Sequence, residues 1–183
     1  IDSTFSCRIL ELFESIKDFH NTPVRYENFI KALDANKSGR ANTATAEIAF
    51  VKERADFAHV LEIAHQKGEL PLRVTHNDTK CNNVLFDDKT NNYLCVIDLD
   101  TVMPGLVGFD FGDAIRFCAN STNEDETNLS KVYLDIYKYQ AFTKGFLSKV
   151  GNILTKEEFI SLLTCDNKET NEYLRQNGCE WVM

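Results

Sequence analysis

The feature that most narrows what this chain can fold into is a polar loop set between short apolar strands. Residues 76–83 read His-Asn-Asp-Thr-Lys-Cys-Asn-Asn, directly after the β-forming run Leu72-Arg73-Val74-Thr75. Twenty residues after Asp78, the apolar run Leu94-Cys95-Val96-Ile97 ends in Asp98. Between them, alternating apolar residues flank Asp87-Asp88-Lys89-Thr90-Asn91-Asn92. That pattern predicts a β-hairpin with arms at about 83–87 and 93–98. The fold must therefore hold a loop of charged and amide side chains against the open end of a hairpin. A carboxylate at Asp98, closing an apolar strand, is costly to desolvate unless a cation or a donor meets it.

Phosphoryl transfer makes this demand. It needs a carboxylate to orient and deprotonate a hydroxyl, and side chains that hold Mg²⁺ against the phosphates of ATP. In the pattern H-x-D-x-K-x-x-N, Asp78 is the candidate base and Asn83 a candidate metal ligand. Asp98 is the second ligand, since Mg²⁺ takes hard oxygen donors. Lys80 can reach a transferred phosphate and offset its charge. Each residue also has a plainer reading: a turn-capping Asp78, an Asx hydrogen bond at Asn83, a strand-end Asp98, a solvated Lys80. The four in register favour chemistry. His76 could be thought a base, but packing and hydrogen bonding of the loop is the favoured role. Asp100 stands between supporting the metal or substrate and simple solvation.

The same residues carry a family resemblance. Residues 72–120 look like the aminoglycoside phosphotransferase and choline kinase group, which has the protein-kinase fold. Leu72-Arg73-Val74-Thr75-His76-Asn77-Asp78-Thr79-Lys80, Val96-Ile97-Asp98-Leu99-Asp100-Thr101-Val102-Met103-Pro104-Gly105-Leu106 and Phe19-His20-Asn21-Thr22-Pro23-Val24-Arg25-Tyr26 resemble the N-acetylhexosamine 1-kinase signatures within that group. The resemblance covers roughly residues 15–163. It implies a sugar kinase that moves phosphate from ATP to the anomeric hydroxyl of an N-acetylhexosamine, with Mg²⁺. It also separates Asp98 from a decoy, Asp110-Phe111-Gly112, which spells a protein-kinase metal motif but falls 32 residues after Asp78. In the group, an Asp about twelve residues past the metal Asp starts a helix and braces the catalytic loop. Asp110 matches it and takes a structural role. Thr101, Arg116 and the Asn21-Thr22-Pro23 turn are candidates for shaping the sugar pocket.

Periodicity supplies the rest. Apolar residues at 5, 9, 10, 12, 13 and 16 predict a helix over 5–18, ended by Asn21-Thr22-Pro23. Helices are expected at 25–34, at 43–67 with Ile48, Val51, Ala55, Ala58, Leu61 and Ile63 buried, from Asp110 to about 119, and at 129–149. Residues 101–109 read as a Pro/Gly loop, and Thr155-Lys156-Glu157-Glu158 as a capping box ahead of a last helix. The fold class is α+β, mostly helical: the C-terminal lobe of a kinase-like fold over residues 1–163, with a small hairpin carrying the motifs. Residues 164–183 are a divergent polar tail, whose Trp181 could stack on a sugar or simply pack.

The net charge of −8 disfavours nucleic acid and anionic membrane as partners. Six Cys without a Cys-x-x-Cys predict reduced thiols in a cytoplasmic protein, with Cys95 and Cys118 buried, and no zinc. The four His are scattered, so a metal-dependent hydrolase using Asp78, Asp98 and Asp100 is the weaker enzymatic reading. Before residue 72 the only glycines are Gly39 and Gly68, and no strand-rich segment precedes the motif. A Gly-rich, β-rich nucleotide lobe is therefore expected to be missing from these residues. With Ile rather than Met first, two readings stay open. The chain is part of a sugar kinase whose N-terminal lobe comes in cis or in trans. Alternatively it is a truncated, inactive fragment with weak sugar or metal binding.

Overall fold

The computed structural model describes residues 12–164. The start of the expected 5–18 helix and the tail with Trp181 lie outside them. The chain divides into two compact units, residues 16–71 and the remainder.

Residues 15–20 form bends and turns, not the expected helix, and from residue 16 the chain belongs to the smaller unit. Helix α1 (Thr22–Ala35) starts at the segment expected to end one. Asn21 Oδ1 accepts from the Val24 amide at 3.2 Å. Pro23 sits in the first turn, where its missing N–H costs nothing. The expected 43–67 helix is in pieces: α2 (Thr45–Glu53), a 3₁₀ turn at Asp56–His59, and α3 (Val60–Gln66). Five of the six expected inward residues are half-buried, and Ile63 is exposed. At the break, Arg54 lies 3.4 Å from the centre of the Phe50 ring and donates to the Phe50 carbonyl. Gly68, with φ of 77°, follows α3 in the left-handed region.

The larger unit holds the motifs. Strand β1 (Arg73–Thr75) enters the polar loop, and β2 (Val84–Phe86) with β3 (Tyr93–Val96) forms the expected antiparallel hairpin, Val84 opposite Val96. Asp87 Oδ1 organises the turn by accepting from the Lys89 and Thr90 amides and the Thr90 hydroxyl. The segment 101–109 is more ordered than its Pro and Gly suggested. Met103–Gly105 forms β4, paired antiparallel with β1, Val74 opposite Pro104. Helix α4 (Val107–Cys118) then begins before Asp110, which falls in its first turn.

Helix α4 supplies the core. Phe111, Ile115 and Ala119 bury against Tyr139 of α5 (Ile136–Val150) and Leu162 of α6 (Lys156–Thr164). The Phe111 ring meets Phe146 edge-on at 5.3 Å, a preferred geometry for aromatic pairs. Helix α5 starts seven residues later than periodicity predicted. Asp135 caps it through the Tyr137 and Lys138 amides, and Leu134 just before it bridges to Asn120. The capping box of α6 forms as expected, with Thr155 N donating to Glu158 Oε2 at 2.8 Å and Glu158 N to Thr155 Oγ1 at 3.1 Å.

Two expectations about cysteine are overturned. Cys81 and Cys118 form a disulfide across 37 residues, with Cα atoms 6.4 Å apart. The loop folds back along α4, so residues remote in sequence meet. Cys95 is a free thiol but exposed. Its hairpin leaves Leu85, Phe86, Tyr93, Leu94 and Val96 exposed as well, so an apolar stretch did not mean a buried one. No helix among the described residues is long and apolar enough to cross a membrane.

Candidate active site

The loop between β1 and β2 is shaped from below by buried polar residues. Thr75 and Asn77 are 2% and 3% exposed. The Thr75 hydroxyl lies 3.0 Å from Asn77 Oδ1 and 3.1 Å from the Met103 carbonyl. Asn77 Nδ2 donates to the Thr101 carbonyl at 3.0 Å, and Thr101 Oγ1 donates to the His76 carbonyl at 2.6 Å. Asn77 adopts φ of 65°, a left-handed conformation that Asn tolerates better than most residues. That inversion turns the chain so that Asp78 leaves the buried side. Gly105 makes the turn sterically feasible, because a Cβ there would collide with the Thr75 hydroxyl.

Helix α4 holds the loop from the side. Asp110 accepts from two successive amides, His76 N at 2.9 Å and Asn77 N at 2.7 Å. One turn on, Asp113 accepts from Thr79 N at 2.8 Å, while the Thr79 hydroxyl donates to the Asp110 carbonyl at 2.6 Å. Two carboxylates on one helix face thus accept from three loop amides, and charge-assisted bonds of this kind are among the stronger ones. Arg116 donates to Asp113 at 3.0 Å and pairs with Glu124, so it orients Asp113. His76 Nε2–H donates to the Ile97 carbonyl at 3.0 Å and Nδ1 accepts from Asp78 N at 3.3 Å. Both ring nitrogens are engaged with backbone, which ties the loop to the hairpin.

The candidate side chains sit on this frame. Asp78 Oδ2 accepts from Lys80 Nζ at 2.8 Å and Asn83 Nδ2 at 3.0 Å. The Lys80 bond holds the Asp78 carboxyl below the ordinary carboxylate value, against the opposing effect of burial, with help from Asn83. The same bond raises the Lys80 ammonium, to which Asp98 also contributes. Asp78 is thus an anion at neutral pH, a quarter exposed, with Oδ1 outside these bonds. Asn83 is buried and also donates from Nδ2 to the Asp78 carbonyl at 2.8 Å. Its amide geometry therefore turns Oδ1 away from Asp78. Ile97 N donates to the Asn83 carbonyl at 2.9 Å, which sets Asn83 beside the hairpin end where Asp98 stands. Asp98 has φ of 63°, an inversion that ends β3 and starts the 3₁₀ turn Leu99–Thr101. An amide oxygen and a carboxylate are hard donors and fit Mg²⁺. No group of three or more His, Cys, Asp or Glu among the described residues forms a metal cluster.

Residues 11–144 of the 183 match the phosphotransferase enzyme family. The chain belongs to that family. As a phosphotransferase its α+β architecture, with small antiparallel sheets between helices, is compatible with a kinase-like fold. Several supports of this phosphotransferase loop escaped sequence reasoning: Asn77, Thr79, Asp113 and the contact of Thr101 with His76. Asp113 lay within reach, since it follows Asp110 at helical spacing. Of the residues expected to shape a sugar pocket, Thr101 donates to the His76 carbonyl, Arg116 pairs with Asp113, and Asn21 caps α1.

Proposed function

We propose that this protein is a cytoplasmic sugar kinase that transfers the γ-phosphoryl group of ATP to the anomeric hydroxyl of an N-acetylhexosamine. Family kinases generally use ATP and Mg²⁺. One observation carries the reading: an ionised Asp78, held by Lys80 and Asn83, sits on a loop braced by α4 beside the hairpin that ends in Asp98. Asp78 orients the sugar hydroxyl and takes its proton as the oxygen attacks phosphorus. The bond from phosphorus to the β-phosphate oxygen breaks, and ADP leaves. Lys80 moves from Asp78 toward the transferred phosphoryl group and offsets its charge. Asn83 Oδ1 and the Asp98 carboxylate would hold Mg²⁺, which would supply neutralisation of phosphate charge. Proton abstraction of this kind contributes about 10²–10⁴-fold, and positioning much of the rest. The nucleotide side of the site is supplied in this reading by an N-terminal lobe, in cis or in trans.

The test is ³¹P NMR of the chain with Mg²⁺, ATP and N-acetylglucosamine or N-acetylgalactosamine, beside Asp78→Asn. A sugar 1-phosphate signal that disappears in the variant is expected. A folded chain that yields no phosphate transfer, with and without a supplied nucleotide lobe, overturns the proposal.

A further inference from the structure

The catalytic loop is held to α4 in two different ways. Its first half, residues 76–79, is tied by carboxylates: Asp110 to His76 and Asn77, Asp113 to Thr79. Its second half carries Lys80 and Asn83. No hydrogen bond among the described residues runs from 80–83 to α4. The tie there is covalent, from Cys81 to Cys118 at the last residue of the helix. Cys81 lies beside Lys80 in sequence and heads the 3₁₀ turn that ends at Asn83. It is exposed, and Cys118 is half-buried. The link therefore closes at the solvent edge of the site, where a small thiol or disulfide can reach it.

We propose that Cys81 and Cys118 are a reversible redox modification site, whose disulfide latches the Lys80–Asn83 half of the catalytic loop to α4. Oxidation is by a low-molecular-weight disulfide such as oxidised glutathione. The exposed Cys81 thiolate attacks it, a mixed disulfide forms, and one glutathione thiolate leaves. The Cys118 thiolate then attacks the Cys81 sulfur and expels the second. Two protein thiols lose two electrons and two protons, and one glutathione disulfide becomes two thiols. A dithiol reverses the exchange. In a reducing compartment, disulfides of this kind are transient and sense redox state. Helix α4 is anchored by Phe111 and Ile115, so the latched half inherits the rigidity of the core. Unlatched, it keeps its hydrogen bonds to Asp78 and the hairpin but has no covalent tie to α4. The regulatory meaning rests on the phosphotransferase reading of this loop, but the link itself does not.

The experiment uses the whole chain, equilibrated with oxidised glutathione or with dithiothreitol. Non-reducing peptide mapping is followed by amide hydrogen exchange, with Cys95→Ser as a control against thiol scrambling and Cys118→Ser as the unlatched variant. The oxidised protein is expected to yield the Cys81 peptide joined to the Cys118 peptide. Its amides at 80–84 should exchange at least about tenfold more slowly than after reduction. In Cys118→Ser, oxidation should leave those amides fast. Failure of the two peptides to join, or joining with no change in exchange at 80–84, overturns the proposal. Neither readout requires kinase activity, so failure of the latch and failure of the assigned reaction remain distinguishable.

Discussion

Glu158 gives the sharpest quantitative test, because it ties the strand leading into the loop to the last described helix. Its carboxylate is 1% exposed. It accepts from Arg73 Nε and Nη2, each at 2.8 Å, and from Thr155 N at 2.8 Å. Glu158→Ala removes all three bonds and half of the capping box. Breaking a buried ion pair from one side costs about 3–5 kcal/mol. Arg73 is one-third exposed and also donates to the Ile153 carbonyl, so water and that carbonyl repay part of its loss. We expect about 3 kcal/mol, read as a lowered urea midpoint at unchanged m. In heat this is roughly 6–12 °C of Tm for a chain of this size. A double-mutant cycle with Arg73→Met should show coupling of about 2 kcal/mol. The pH dependence has a definite sign. Burial alone would raise the Glu158 carboxyl, but Arg73 and Thr155 overcome it and hold the group below its ordinary value of 4.5. The folded pKa is depressed, so this stabilisation is complete above about pH 4.5 and drains away as pH falls through the folded value. A loss under about 1 kcal/mol for Glu158→Ala, or zero coupling in the cycle, would refute this reasoning.

Two further changes act on the loop itself. Lys80→Met should return the Asp78 carboxyl toward its ordinary value of 3.8, seen as an upward shift in an NMR titration of that carboxyl, whereas an unmoved titration would mean that another group depresses it. Gly105→Ala should force the Thr75 hydroxyl aside and disturb Asn77, at about 1–3 kcal/mol of overpacking, measured by urea denaturation together with faster exchange of the His76 and Asn77 amides.

What could be read from the sequence was local and periodic. The hairpin was legible because Asp87 to Asn92 interrupt two alternating runs. The capping box at Thr155 and Glu158 was legible because both partners lie within four residues. The break in the 43–67 helix was not, because no Pro or Gly stands between 44 and 67 and local propensity yields to context. The late start of α5 was missed because residues 129–134 keep helix-like spacing, while Asp135, a strong N-cap, lies inside the expected span. At the site, the residue types in H-x-D-x-K-x-x-N announced themselves. Their supports did not: Arg73 finds Glu158 across 85 residues, Cys81 finds Cys118 across 37, and neither pairing has a local signature. Cys95 shows the reverse error, since an apolar strand in a two-stranded hairpin has only one neighbour to cover it.

The long reach from Arg73 to Glu158 also has a consequence in time. Ribosomes add about 5–20 residues per second, so Glu158 is made roughly 4–17 s after Arg73. Asp110, which braces the His76 and Asn77 amides, follows the loop within a few seconds, whereas the clamp on β1 waits for the last helix. Through that interval the nascent loop has its braces but not the anchor of its entry strand. Synthesis therefore imposes an order on the site, with the amide cradle first and the strand fixed only when α6 has emerged. A chain stalled before residue 158 would carry every motif residue and still lack the ion pair that holds them in place.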